Sequence, residues 1–113
     1  MFKAIKARLQ RTDPQFVYFT KTRRVLDQLY KRVLMKSDKL KFELLQAKHL
    51  QYIEKQFTTY QGIGEPRFCC YFFYPEGNGK VFVITFNGSI KIITVFPLGK
   101  RTVKKQKRRI YKK

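Results

Sequence analysis

The chain has 113 residues, 43% of them hydrophobic, and sets 26 Lys and Arg against 7 Asp and Glu for a formal net charge of +19. That length fits one domain, and eleven Phe and seven Tyr supply a core that excludes a polycation disordered throughout. The charge exceeds what solubility requires, and such self-repulsion is most easily tolerated beside a polyanion, so nucleic acid is the expected partner.

Phe2, Ile5 and Leu9 recur at helical spacing, with Lys3, Lys6, Arg8 and Arg11 elsewhere on the wheel, which predicts a short basic amphipathic helix closed by Asp13-Pro14. This opening segment lacks the apolar run of a secretory signal and reads as part of the mature protein, cytoplasmic or in an organellar matrix. Residues 15–20 read as a short strand or an extended entry. Over residues 21–36 the apolar positions Val25, Leu26, Leu29, Tyr30, Val33 and Leu34 mark one face of a helix. Ser37-Asp38 interrupts that pattern and offers a cap. A second helix is expected over residues 39–57, where Phe42, Leu45, His49, Ile53 and Phe57 form a stripe. Two helices joined by so short a turn are antiparallel neighbours.

Residues 58–66 read as a linker containing Gly62 and Gly64, and residues 67–73 as a strand. Tyr74-Pro75-Glu76-Gly77-Asn78-Gly79 is turn chemistry. A strand over residues 80–86 then meets Asn87-Gly88, the expected two-residue hairpin turn, and a third strand runs to Pro97. With that turn, Val81, Val83, Thr85, Ile90, Ile92 and Thr94 share the face that wants a core. Lys80, Phe82, Ile84, Phe86, Lys91, Ile93 and Val95 share the accessible one. After Leu98 the sequence is dense in Lys and Arg and has no acid, so residues 100–113 are expected as an extended tail until phosphates neutralise them. The predicted architecture is α+β: residues 1–99 form a single domain, with a helical hairpin packed on a three- to four-stranded antiparallel β-sheet, followed by a basic C-terminal tail.

The adjacent Cys69 and Cys70 point to opposite faces of a strand and read as reduced thiols. With one histidine and no spaced Cys pair, no zinc motif can be assembled, and the scattered carboxylates give no paired-carboxylate pattern. Neither a metal nor a cofactor is therefore expected. No hydrophobic run approaches the roughly 18 residues of a membrane span, so no membrane partner is expected either.

RNA supplies its own nucleophile, the 2′-hydroxyl, and its cleavage asks only for proton movement and for cations that stabilise a charged phosphorane. Arg67, Lys91, Lys104, Lys105, Lys107, Arg108, Arg109, Lys112 and Lys113 are the candidate RNA-binding cations. Tyr71, Phe73, Phe82 and Phe86 are candidates for base stacking, though burial is the commoner use of such rings. A strand, two helices and a meander ending in GKVFVITFNGSIKIITVFPLGKR resemble RelE-type ribosome-dependent toxins. A helix-borne histidine facing a cationic sheet is similar in outline to colicin-D-type tRNA nucleases; both belong to the barnase–EndoU–colicin–RelE endoribonuclease toxins. The resemblance implies a catalytic set of Lys80, Lys100, Arg101 and Tyr111 on the RelE pattern and His49 with Thr94 on the colicin-D pattern. It further implies metal-independent cleavage of mRNA or tRNA and an acidic antitoxin or immunity protein as partner. The alternative left open by the residues is a non-catalytic protein bound to ribosomal RNA on the ribosome.

Overall fold

The computed structural model describes residues 1–19, 37–60, 63–86 and 88–111. The helix expected over residues 21–36 lies outside the described residues, as do Asn87, Lys112 and Lys113. In chain order the described elements are helix α1 (Phe2–Arg11), strand β1 (Val17–Phe19), helix α2 (Ser37–Leu45), strands β2 (Leu50–Tyr60), β3 (Ile63–Phe73), β4 (Gly79–Phe86) and β5 (Ile90–Leu98), and helix α3 (Lys100–Tyr111). Short 3₁₀ turns at Pro14–Phe16 and Ala47–His49 lead into β1 and β2. No helix among the described residues is long and apolar enough to cross a membrane.

The α+β class holds, but its parts differ from those expected. The sheet is five-stranded and mixed, in the order β1-β5-β4-β3-β2, with β1 parallel to β5 and the other pairs antiparallel. In place of a long second helix over residues 39–57, α2 ends at Leu45 and the chain enters β2 at Leu50. An irregularity between Leu50 and Tyr52 explains the misreading. It inserts one residue into the alternation, so Leu50 and Ile53 both face the core three positions apart, as they would on a helix. The expected linker at residues 58–66 contributes to two long strands, with Thr58 opposite Glu65 and Tyr60 opposite Ile63.

The β4–β5 hairpin is present with a different register. Phe86 pairs with Ile90 and Ile84 with Ile92, so the loop is one residue longer than a two-residue turn, with Gly88 at φ +73°. That slip moves Ile90 and Ile92 onto the face of Phe82, Ile84 and Phe86. A second irregularity after Val83 restores the alternation beyond it, placing Val95 opposite Phe82. The main core therefore lies on the face expected to be accessible. Ile5 and Leu9 of α1, Leu40 and Leu44 of α2, and Val17 pack there with Cys70, Phe72, Phe82, Ile84, Ile90, Ile92 and Val95. The opposite face holds a smaller cluster of Cys69, Val81 and Val83.

The expected extended tail is instead α3, whose Val103 is buried at Gly79 on this second face. A Cβ at Gly79 would collide with the Phe72 carbonyl oxygen of the neighbouring strand and press on Val103 Cγ2 at 3.2 Å, so glycine is required at this place, where the helix also meets the strand. Gly79→Ala is expected to cost about 3 kcal/mol in urea denaturation. Gly99→Ala, where an added Cβ meets nothing within 4 Å, serves as the near-neutral control.

Burial pushes the Cys70 thiol up to about 12, with a smaller contribution from Cys69. Burial, followed by the Glu54 carboxylate, also raises Cys69. Both should resist alkylation at pH 8 in the native protein and react after denaturation. An unfolded Cys70 releases its proton near 9.0 whereas the native thiol holds it to about 12. The unfolded chain thus binds fewer protons across that window, and stability should fall as pH rises through it, by on the order of 4 kcal/mol. Denaturation midpoints measured at pH 8 and above test this.

Candidate functional site

The candidate site gathers at the end of the sheet where β3 turns into β4. Tyr74 closes that turn: its backbone N–H donates to the Asn78 carbonyl at 2.9 Å, and its carbonyl accepts from the Gly77 N–H at 3.0 Å. The ring stands between two clefts. One, of about 330 Å³, is lined by His49, Gln51, Phe73, Tyr74, Pro75, Lys107 and Tyr111. The other, of about 530 Å³, is lined by Glu43, Tyr74, Glu76, Asn78, Lys80 and Lys100.

His49 is brought here by the 3₁₀ turn between α2 and β2, and its half-buried ring meets Tyr74 edge-on, with centroids 5.5 Å apart and planes at 76°. It is carried on that turn, not within the long helix expected for it. The last turns of α3 bring in Tyr111, whose hydroxyl donates to Gln51 Oε1 at 3.1 Å. Lys107 reaches the same cleft with its Nζ 5.6 Å from the Phe73 ring centroid. An imidazole, a phenol and an ammonium thus share one small cavity.

Across Tyr74 the electrostatics differ. Lys80 Nζ donates to Glu43 Oε1 at 2.7 Å, with the side chains 14% and 19% exposed, and lies 5.1 Å from the Tyr74 ring centroid. An ammonium so paired contributes little net positive charge, so Lys80 is not the free cation that the sequence suggested. Lys100 lays its aliphatic stem over the turn, its Cγ 3.5 Å from where a Cβ on Gly77 would stand. The Tyr74 hydroxyl is buried and has no hydrogen-bond partner among the described residues. A buried hydroxyl left without a partner is a place where water is expected.

The remaining predicted residues lie apart from these clefts. Thr94 sits on β5 opposite Val83, on the sheet's second face. Arg101 is exposed on α3, and Arg67 and Lys91 are half-buried on β3 and β5. Arg101, Lys104, Lys105 and Arg108 recur at helical spacing and are all exposed, forming a continuous cationic stripe opposite Val103 and Ile110. Arg109 is tied back to the sheet, its Nη2 donating to Glu54 Oε2 at 3.1 Å. Beside it Tyr71 titrates higher than an ordinary phenol, chiefly through burial and then the Glu54 charge, with Arg109 pulling the other way.

The proposed stacking rings are already occupied. Phe82 and Phe73 are buried, Phe86 lies under the Arg8 guanidinium at 4.3 Å, and Tyr71 packs against Tyr52 at 5.7 Å. Sequence reasoning overlooked Tyr74 and Glu43, treating the first as turn punctuation and the second as a scattered acid. The available signal was an aromatic residue at the mouth of a Pro-Glu-Gly-Asn turn. No family model matches the chain, and neither a curated protein nor a solved structure matches it.

Because both partners of the Lys80–Glu43 pair keep some solvent contact, Lys80→Ala and Glu43→Ala are each expected to cost about 1–2 kcal/mol of stability. A double-mutant cycle read by chemical denaturation should return most of that as coupling. Zero coupling would place the two charges in separate environments.

Proposed function

We propose that the chain binds RNA through the outer face of α3 and cleaves it as a metal-independent endoribonuclease of RelE-like or colicin-D-like type, acting on mRNA or tRNA. The observation that carries this reading is the pairing of two features on one helix. Arg101, Lys104, Lys105 and Arg108 line its solvent face, while Lys107 and Tyr111 enter the cleft of His49. A strand held on the stripe has its backbone next to a group that can take a proton and a group that can give one.

In the proposed step the His49 imidazole removes the 2′-hydroxyl proton, and the 2′-oxygen attacks the adjacent phosphorus. The bond from phosphorus to the 5′-oxygen breaks, leaving a 2′,3′-cyclic phosphate. Tyr111 donates the proton that the departing oxygen needs, and Lys107, with Lys100 beyond Tyr74, stabilises the charge on the phosphorane. His49 must then return its proton to solvent, and Tyr111 must recover one. An acidic antitoxin or immunity protein is the matching protein partner, since a carboxylate-rich surface would compete with phosphate for the stripe.

A second reading is supported by the Lys80–Glu43 pair and by the distance of Thr94 from both clefts. A site with part of its expected catalytic set neutralised or placed elsewhere suits a non-catalytic protein lodged in ribosomal RNA. The stripe serves either reading.

Labelled mRNA and tRNA incubated with the protein in EDTA, with and without ribosomes, separate the two. Cyclic-phosphate ends that vanish in His49→Ala and fall at least a hundredfold in Tyr111→Phe support cleavage. Stoichiometric binding to intact RNA supports the second reading. In either case, replacing Arg101, Lys104, Lys105 and Arg108 together by Gln should reduce the slope of log affinity against log salt by about 3. An unchanged slope would remove α3 as the phosphate-binding element.

A further inference from the structure

At the opposite end of the sheet lies a third cleft, of about 250 Å³, between the end of α1 and the β4–β5 turn, lined by Arg8, Arg11, Thr12, Asp13, Phe16, Gly88, Ser89 and Ile90. We propose that this cleft binds a single unpaired guanine nucleotide. As a second site on the same RNA partner it rests on the reading above; its capture of a free mononucleotide does not.

Three features define the ligand. Phe16 is an aromatic ring left 51% exposed at the cleft wall, one of six large hydrophobic side chains exposed among the described residues. An exposed ring beside cations is a stacking platform for a base. Next, both arginines of the last turn of α1 face the cleft from preset positions. The Arg8 guanidinium is stacked 4.3 Å from the Phe86 ring centroid, and Arg11 Nε donates to the Ala7 carbonyl at 3.3 Å. These suit a phosphate. Finally, Asp13 lines the same cleft yet forms no ion pair with Arg8 or Arg11 among the described residues. Opposite charges that share a cavity without neutralising each other call for a ligand with an anionic end and a donor edge.

The carboxylate selects the base. An ionised Asp only accepts hydrogen bonds. Guanine presents two adjacent donors, N1–H and the exocyclic amine, to the two carboxylate oxygens. Adenine and cytosine each place an acceptor beside their single amino donor, which would face a carboxylate oxygen, and uracil flanks its one N–H with two carbonyls. The cavity is smaller than a typical drug-sized site, as one base requires. Thr12 already donates its hydroxyl proton to the Arg8 carbonyl at 2.6 Å, so its oxygen is left to accept, and the half-buried Ser89 adds a hydroxyl on the other wall. The eight residues of β4 separate this cleft from the His49 end by roughly 25 Å.

Calorimetric and NMR titrations of the whole chain with GMP, AMP, CMP, UMP and inorganic phosphate test the assignment. GMP should bind at least tenfold tighter than the other four and shift the amides of Phe16, Gly88 and Ser89. Asp13→Asn should bring GMP down to the level of AMP, and Phe16→Ala should weaken all four nucleotides about tenfold; both residues are exposed, so both variants should fold. Equal affinity for the four nucleotides, phosphate binding as tight as GMP, or shifts confined to the surroundings of His49 would overturn it. Loss of GMP selectivity with the α3 salt slope intact sinks this cleft alone. Selective GMP binding without affinity for RNA upholds the cleft and sinks the RNA reading.

Discussion

The close approach of α3 to the sheet at Gly79 is the contact on which the arrangement of this molecule depends. A helix with no acid in its first turn, and with Lys100 and Arg101 set against the positive end of its own dipole, has poor reasons to form in isolation. It is held by Val103 against bare backbone, by Arg109 on Glu54 and by Tyr111 on Gln51. These anchors fix the helix rotation. They put Lys107 and Tyr111 beside His49 and turn Arg101, Lys104, Lys105 and Arg108 outward. Had a side chain at residue 79 kept the helix off the strand, the cationic stripe and the His49 cleft would be unrelated features.

The distribution of charge follows the same logic. Two of the acids among the described residues are spent on particular cations, Glu43 on Lys80 and Glu54 on Arg109. Both partners lie where a helix meets the sheet, so the pairs fix relative positions of elements. The cations of the α3 stripe have no such partners nearby in sequence, and like charges three and four residues apart repel. An anion laid along that face relieves the repulsion, which couples the stability of the helix to occupancy of the surface.

Much of the β structure was legible because it rests on local chemistry. The Pro75–Gly79 turn, the second and third strands of the meander and the amphipathic α1 are written in turn residues and short-range periodicity. The failures share a cause. Leu50 and Ile53 fall three apart because the strand carries an irregularity, and such spacing is also that of a helix. Nothing local tells the two apart, although the run of Tyr, Ile, Phe and Thr favoured a strand. The face of the β4–β5 hairpin turned on one residue of loop length, which sequence chemistry at Asn87-Gly88 does not fix. The tail was misread because its charge argued for extension while Val103, Gln106, Ile110 and Tyr111 held a weak stripe. That stripe acquires meaning only against Gly79 and Gln51, far away in the sequence.

The site was legible in part, and the reason lies in Tyr74. Lys80, Lys100 and Tyr111 were singled out on one resemblance and His49 on another, and all four line one or the other of the clefts that this ring divides. A tyrosine immediately before Pro75 is set by the turn, its backbone tied to Asn78 and Gly77, so its side chain is positioned before any contact is made. The Lys80 ammonium lies 5.1 Å from its ring centroid, and the His49 ring packs against it at 76°. Moving either neighbour changes the electrostatic surroundings of the same ring and of its buried hydroxyl. The two clefts are therefore physically coupled through one side chain, and a ligand that satisfied that hydroxyl would be felt by both.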